Sequence, residues 1–554
     1  MLLIECSNVK KYFSDRLILN IENLKIYSED RIGIVGVNGA GKTTLVNILS
    51  GRLEPDEGWV KVYGEYGYIS QLESAQNKRI RGEMASKLDI PEKWNESMSG
   101  GEKNRFKLAE SLENEKPLIF ADEPTSNVDI EGIKIMESML EEFRGALVLI
   151  SHDRSFLDRL CNKIIEIENG KIKIYHGNFS EYKIQKDKEL ERAHFEYDQY
   201  VREKRRLEGV IQDTKEKVKQ IRKTPKRMDN SEARLHKMGN QKAKANLEKA
   251  VKSVETRIKH LEVKQKPIKQ EKMKLDLEGI HVLHSKIIIE GEKIQKAFGD
   301  KKIFNNAEFS IYNGAKVALI GPNGCGKSTL VKMIMNHDPS IRIARGAKIG
   351  YFSQDLNILE ESMSILENVM GSSIHPESYG RRLLARLLFK GEDVYKKVGV
   401  LSGGERVKIS FAKILLQDMN LLILDEPTNY MDIYSLEAVE EALREYERTL
   451  LFVTHDRSLI NSVADHIMTI ENQELKMFKG SYQEYLFRMD KAIDDDREGV
   501  EKQIRILENR LSEVLGKLSM PSKKHDIVVL DQEYYAILKE LKRMRENLQN
   551  CMGT

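Results

Sequence analysis

The sequence predicts an α/β fold built twice: two tandem P-loop nucleotide-binding domains joined by a long α-helical hairpin linker, with a helical extension at the C-terminus. Three observations predict it. A full set of phosphate-handling motifs occurs twice, in the same order, about 300 residues apart. Around each set, short apolar runs alternate with helix-like stretches, the pattern of a mainly parallel sheet. Between the copies lie about 100 residues with few prolines and no strand pattern.

In chain order, residues 1–182 form the first domain. Ile32 to Gly36 is an apolar run before a glycine-rich turn, and KTTLVNILSG continues as a helix. PLIFADE and ALVLISHD are further buried strands. Residues 183–282 form the linker, read as two long helices with breaks near Thr224-Pro225 and Gly239-Asn240. Its tip spans about 224–244, with Ser231 capping a short helix that Gly239 ends. Residues 283–489 repeat the first domain, and 490–554 form the extension. The extension breaks at Pro521 and carries a β-like patch, DIVVL, at 526–530. Gln71 and Gln354 are 283 positions apart, whereas Ser99 and Ser402 are 303 apart. The second copy therefore gains about 20 residues between these motifs, and the helical part of the first is short.

Composition narrows the class. The 554 residues are 32% charged and 40% hydrophobic. No run of about 18 apolar residues suggests a membrane span, and MLLIECSNVKKYF does not resemble a signal peptide. Cys6, Cys161, Cys325 and Cys551 lack metal-ligand spacing and read as isolated thiols of a reducing, cytoplasmic compartment.

The loops GVNGAGKT and GPNGCGKS each follow a strand and open a helix, the context of a phosphate-binding loop. Gly36, Asn38, Gly39 and Gly41 with Thr44 shape the first, and Gly321, Asn323, Gly324 and Gly326 with Thr329 the second. Lys42 and Lys327 neutralise phosphates, and Thr43 and Ser328 can ligate Mg²⁺. Asp122 and Asp425 end buried strands, where a carboxylate can hold Mg²⁺ through water. Glu123 and Glu426 follow and can orient the attacking water. Asp129 and Asp432 lie in the next loop, and His152 and His455 sit past the next strand, placed for the γ-phosphate. Gln71 and Gln354 can reach Mg²⁺ and the attacking water. Phe13 and Phe298 occupy equivalent places and can stack on adenine, or else are core aromatics.

These residues, with SGGE at Ser99, Gly100, Gly101, Glu102 and at Ser402, Gly403, Gly404, Glu405, resemble the ATP-binding cassette family over both repeats. The resemblance implies ATP as ligand, with each SGGE segment closing over ATP held by the other domain. Ser402 to Glu405 would then complete the site of Lys42, and Ser99 to Glu102 that of Lys327. Met98 departs from the pattern, since the second copy has the usual leucine, Leu401.

Two cassettes fused through a long linker, without a membrane domain, resemble the ABC-F subfamily, whose members act on ribosomes and do not transport. Residues 201–270 hold 22 Lys+Arg and 9 Asp+Glu, a net of +13 in a chain of net +3. A basic helical pair on an acidic body is the footprint of a nucleic-acid contact, or else a solvated coiled-coil face. The tip offers Lys226, Arg227, Met228, Arg234, His236, Lys237 and Met238 to rRNA phosphates, bases or a nearby ligand. SEARLHKMG resembles the antibiotic-resistance group that includes Vga, Lsa and VmlR. That resemblance implies a 70S ribosome partner, with contacts to 23S rRNA and P-site tRNA. The linker would enter the E site, shift the tRNA, and eject drugs at the peptidyl-transferase centre. The short first cassette lacks the arm inserted in housekeeping members, and the extension resembles the helical hairpin of some resistance members. The chain is expected to act as a monomer with an intramolecular cassette pair and no obligate protein partner. A housekeeping translation factor and a branched-DNA-binding ATPase are the alternatives, and a transporter's ATPase half has no use for such a linker.

Overall fold

A computed structural model describes the chain apart from residues 71–74, 76, 114–115, 221–229, 265–282, 284, 354–357, 429–430, 520–526 and 553–554. Side chains at 220, 230–241, 243, 490, 492–501, 517, 527–529 and 546–552 are likewise left aside. The chain forms two compact units, residues 1–179 with 273–554 and residues 180–272.

In the first unit each cassette has a six-stranded sheet. The first runs in the order Tyr66–Ile69, Leu118–Asp122, Ala146–Ile150, Arg31–Val35, Lys163–Glu168, Lys171–His176. The second runs Ile349–Phe352, Leu421–Asp425, Thr449–Val453, Lys316–Ile320, His466–Glu471, Glu474–Lys479. All neighbours pair in parallel except the last strand of each sheet. The predicted strands therefore form, and they form because their apolar runs are buried on both faces: Leu118–Asp122 and Leu421–Asp425 are buried throughout. In such a sheet the loops at the carboxyl ends of the strands gather into one crevice, which is where the motif residues stand. A three-stranded antiparallel sheet accompanies each cassette, in the orders Arg16–Tyr27, Leu2–Phe13, Glu57–Val62 and Lys301–Tyr312, Ile287–Phe298, Ile341–Ile343.

The length difference between the copies falls in the helical part. Among the described residues the first cassette places one six-residue helix, Gly82–Lys87, ahead of its SGGE segment. The second places Ile365–Met370 and Glu377–Arg386 there, followed by two 3-10 turns, Gly391–Tyr395 and Val398–Val400.

The second unit holds two helices, Phe179–Gln220 and Asn230–His260, the first about 63 Å long at ~1.5 Å per residue. Within it Leu207 and Val251 are buried, and Glu203–Arg257 and Lys215–Glu255 join the helices. The expected break at Gly239-Asn240 is absent: the helix runs through both, so Ser231 caps no short helix and Gly239 ends none. One glycine costs a helix only ~1 kcal/mol, and the alanines, the lysines and Gln241 around it favour the helix. Thr224-Pro225, Lys226, Arg227 and Met228 lie outside the described residues.

The extension is a pair of helices, Tyr482–Ser519 and Ile527–Met552, around Ile504, Val514, Ile537 and Leu541. The β-like patch is overturned, because the run from Ile527 is helical. Leu530, Tyr534, Ile537, Leu541 and Met544 recur at helical spacing and pack as one stripe, and that tertiary burial overrides the strand preference of two valines. The helix Tyr482–Ser519 also runs unbroken across the expected 489/490 boundary, while Pro521 lies outside the described residues.

Candidate ATP sites between the two cassettes

Each phosphate loop is held in shape by its last glycine. Gly41 (φ 100°) and Gly326 (φ 118°) start the helices Lys42–Leu49 and Lys327–Met335 in the left-handed region, which disfavours a side chain. The space forbids one as well: a Cβ on Gly326 would meet Ile303 Cγ2 at 2.4 Å, and one on Gly41 would meet Ile18 Cγ2 at 2.9 Å. Lys42 Nζ donates to Gly36 O at 2.9 Å and Val37 O at 3.3 Å. Lys327 Nζ donates to Gly321 O at 2.7 Å and Pro322 O at 3.0 Å. Both ammonium groups are thus buried within their own loops, and burial lowers the pKa of Lys42, with Glu123, Asp432 and Asp122 opposing that shift.

Asp122 and Asp425 close their strands beside the loops. Ser328 Oγ donates to Asp425 Oδ1 at 3.3 Å, and the Thr43 hydroxyl bonds Asp122. Burial raises both carboxyl pKa values, and the hydroxyls and loop lysines pull them back. A hydroxyl against a carboxylate beside a phosphate cradle is an oxygen-donor set that fits Mg²⁺, which completes its shell with water and phosphate oxygens. Among the described residues no cluster of three His, Cys, Asp or Glu could hold a metal by itself.

Glu123 and Glu426 follow at φ 50° each, a strained conformation for residues with a side chain. Their N–H groups donate to Ile150 O and Val453 O at 2.9 Å, which ties each to the strand leading to the histidine. Burial pushes both carboxyls up to about 8, against the pull of Lys42 and of Lys327. His152 Nε2 lies 3.2 Å from Glu123 Oε1, and His455 Nε2 lies 3.5 Å from Glu426 Oε1. The first contact is out of line for a hydrogen bond, since Glu123 Oε1 has no hydrogen-bond partner. Burial and the adjacent lysines press His152 down to about 3 and His455 to about 4, so both rings are neutral at pH 7.

The SGGE segments are helix starts. Ser402 and Glu405 form a reciprocal cap on Gly403–Leu415: Ser402 N–H donates to Glu405 Oε2 at 2.9 Å, and Glu405 N–H to Ser402 Oγ at 3.4 Å. Ser99 and Glu102 repeat it at 2.7 and 3.2 Å on Gly100–Glu113. Each presents free N–H groups and glycines at a positive helix end, which suits phosphate oxygens. Met98 is buried, with its sulfur accepting Asn95 N–H at 3.3 Å, whereas Leu401 lines the cavity.

One continuous cavity of about 2070 Å³ brings the two motif sets together. Lys42, Thr43, Thr44, Asn38, Gly39, Gly41, Asp122, Glu123 and His152 line it with Ser402, Gly404 and Glu405. Lys327, Ser328, Thr329, Asn323, Gly324, Gly326, Glu426 and His455 line it with Ser99 and Gly100. Contact across the cassettes is direct: Asn323 N–H donates to Asp129 Oδ2, and Asn323 Nδ2 to Asn127 O, both at 2.9 Å. A Cβ built on Gly101 would stand 3.6 Å from Asn323 Nδ2. Asp129 and Asp432 both cap the helices that follow them, through Gly132 and Ser435, but Asp432 also holds Lys408 in a fully buried ion pair at 2.7 Å.

Phe13 and Phe298 are 53% and 58% exposed, which rules out the core reading. Phe298 lines the cavity, while at the first site Arg16, paired with Phe13 across its turn, does so. Gln71 and Gln354 lie outside the described residues. So do the side chains of Arg234, His236, Lys237 and Met238, whose backbone is helical.

The sequence reading missed Lys408, the cavity-lining run Leu387 to Phe389, and four charged residues across the cassette contact. Those four are Arg154 with Glu440 and Arg457 with Glu137. Their signal was present, because each pair of counterparts is 303 positions apart, like the histidines.

Among the described residues no helix is long and apolar enough to cross a membrane. A family model described as "ABC transporter" matches residues 19–126 and 304–429, and a second of the same description matches 165–244. The chain is 32% identical over 488 residues to the erythromycin resistance ATP-binding protein MsrA of Staphylococcus epidermidis, covering 85% of this chain and 98% of the relative. It is 28% identical over 573 residues to the ribosome protection protein VmlR of Bacillus subtilis, covering 98% of each. Among solved structures, the archaeal ribosome recycling factor aABCE1, in complex with the ribosomal stalk protein aP1, matches with a TM-score of 0.58 at 21% identity, covering 88% of this chain and 92% of that one. That match speaks for the fold alone. The matched ATP-binding domains imply ATPase activity, and the kinship with MsrA over nearly its whole length places the chain in the ABC-F family of ATP-binding cassette ATPases.

Proposed function

We propose that this chain is a cytoplasmic, Mg²⁺-dependent ATPase that binds the bacterial 70S ribosome in its ATP state and protects it from antibiotics at the peptidyl-transferase centre. The observation that carries the reading is the pairing of two motif sets in one cavity, with a linker between them whose residues 201–270 carry a net +13. The names of two relatives, one for erythromycin resistance and one for ribosome protection, support the drug-protection part.

The cavity lining supports a division of labour. The two loops and their lysines bind the phosphates, with Phe13 and Phe298 against the adenines. Thr43 and Ser328, with Asp122, Asp425, Gln71 and Gln354, would hold Mg²⁺, which supplies charge neutralisation on the phosphates when bound. Glu123 and Glu426 orient the attacking water, and neutral His152 and His455 face the γ-phosphate. Ser402 to Glu405 complete the Lys42 site, and Ser99 to Glu102 the Lys327 site. ATP therefore joins the cassettes and hydrolysis parts them. The chain does this as a monomer with no obligate protein partner. Residues 1–182 and 283–489 act as the cassettes, and 183–282 enter the E site to contact 23S rRNA and P-site tRNA. There Lys226, Arg227, Met228, Arg234, His236, Lys237 and Met238 carry the tip contacts, while 490–554 add a helical extension.

Expression in a drug-sensitive bacterium tests this reading. The chain raises resistance to lincosamides, streptogramin A or pleuromutilins, and alanines at the tip remove the resistance while ATP turnover stays within twofold. Unchanged susceptibility to all of these, at confirmed expression, would contradict drug protection and favour a housekeeping role.

A further inference from the structure

The two histidine-bearing turns meet across the cassettes about an approximate two-fold axis. Ser155 Oγ lies 3.3 Å from Ser458 Oγ, and these residues are equivalent positions of the two copies, 303 apart. On one side of them Arg154 of the first cassette pairs with Glu440 of the second. On the other, Arg457 of the second pairs with Glu137 of the first, its Nη1 standing 3.2 Å from Glu137 Oε2. Glu440 and Glu137 are again counterparts, 303 apart. Glu137 is fully buried, and Arg154 and Arg457 are each 15% exposed, so the pairs are shielded from salt. Such pairs resist loss of one partner strongly, because the other charge is left buried.

Each arginine also reaches the opposite histidine turn. Arg457 Nη2 lies 3.5 Å from Asp153 Oδ2. Asp153 follows His152 and caps the helix Arg154–Leu160 by accepting Phe156 N–H at 3.0 Å. On the other side Arg154 is bound to Glu440 and acts on Asp456 through its field alone, drawing that carboxyl down against burial. Asp456 follows His455 and caps Arg457–Val463 through Ser458 N–H at 2.9 Å and Leu459 N–H at 3.1 Å. The carboxylate that fixes each histidine turn thus lies in the field of an arginine of the other cassette, in direct contact at Asp153.

From this geometry we infer that Arg457 and Arg154 are positioning residues that hold the histidine turns in trans, Arg457 for the Lys42 site and Arg154 for the Lys327 site. The inference rests on the reading of both sites as hydrolytic. Neither arginine touches the phosphate loops, so nucleotide affinity is untouched while turnover depends on the partner cassette. The arrangement couples the sites, because one contact surface orders both histidines.

The test is steady-state ATP hydrolysis by the full chain. Arg457→Gln and Arg154→Gln each lower kcat about tenfold and leave KM for ATP within twofold. Arg154→Lys and Arg457→Lys, which keep a cation beside the same carboxylates, retain at least a third of kcat. A kcat within twofold of the parent in folded Arg→Gln chains, or Lys variants no better than the Gln variants, overturns the inference. If the parent hydrolyses no ATP, the hydrolytic reading of the sites fails, and the clamp is then read by cross-linking. Ser155→Cys/Ser458→Cys forms a disulfide on mild oxidation, scored by mass spectrometry of the joined peptides. Adding Arg154→Gln/Arg457→Gln cuts the yield at least threefold if the arginines hold the turns, and an unchanged yield overturns the inference.

Discussion

At Glu123 and Glu426 the backbone is strained, the carboxyl is buried, and the ring of a neutral histidine stands 3.2 and 3.5 Å away. A carboxyl held at about 8 is costly to ionise without a charge partner, so these side chains are shaped for a role rather than for stability. Replacing both by glutamine keeps shape and removes the ionisable carboxyl; turnover in a phosphate-release assay falls by at least about 100-fold while ATP still binds, as expected for groups that act on the water. The same residues set a pH dependence. Between about 4.5 and 8 the folded chain holds protons on these carboxyls that the unfolded chain has lost, so they lower stability as pH rises. His152 and His455 work oppositely, since they are already neutral when folded, and their contribution rises with pH only up to about 6.5. Above that value the histidine contribution is constant and the carboxyl effect continues. The apparent Tm of the nucleotide-free chain therefore drops from pH 6.5 to 8, each carboxyl contributing up to about 1.4 kcal/mol per pH unit. The double glutamine variant flattens that slope, and an equal slope in both chains would contradict the assignment. Gly326→Ala adds a Cβ 2.4 Å from Ile303 Cγ2 at φ 118°, and the strain of at least about 1–3 kcal/mol removes the ATP-induced rise in Tm.

At the scale of elements, what was legible in the sequence was contiguous. Phosphate loops and buried strands each declare themselves within about ten residues, and the structure places those strands and the helices after the loops where the motifs put them. Legibility failed where tertiary packing outvoted local preference. The valines after Asp526 read as a strand, yet the stripe from Leu530 to Met544 needs a helix to reach Ile504 and Val514. Gly239 read as a stop, yet the helix Asn230–His260 carries it. The Arg154–Glu440 contact spans 286 positions and Arg457–Glu137 spans 320, so no local window could show either. The extension gives a check on its own helix pairing. Val514→Asp puts a charge among Ile504, Ile537 and Leu541, which exposes the hairpin to limited proteolysis and leaves the cassettes intact.

Across the whole molecule the two cassettes are alike in chemistry and unlike in detail. Asp129 meets the opposite phosphate loop through Asn323, whereas Asp432 is spent on a buried pair with Lys408. The second cassette adds Leu387, Leu388, Phe389, Asp393 and Lys396 to the cavity wall, from a helical part that the first cassette shortens. The sites are therefore expected to differ in turnover, and single Glu→Gln chains measured side by side will show unequal residual rates. On the proposed reading the basic linker meets a polyanion, so affinity depends on salt. If it neutralises about six or more phosphates, association with ribosomes falls steeply between 50 and 200 mM salt, by roughly a thousandfold. The most direct measurement of the central claim is co-sedimentation of the Glu123→Gln/Glu426→Gln chain with 70S ribosomes in ATP, with a labelled lincosamide or pleuromutilin bound beforehand. The account predicts stable, ATP-dependent binding that lowers the drug retained on the ribosome. Binding that leaves the drug in place, or no binding at all, would contradict it.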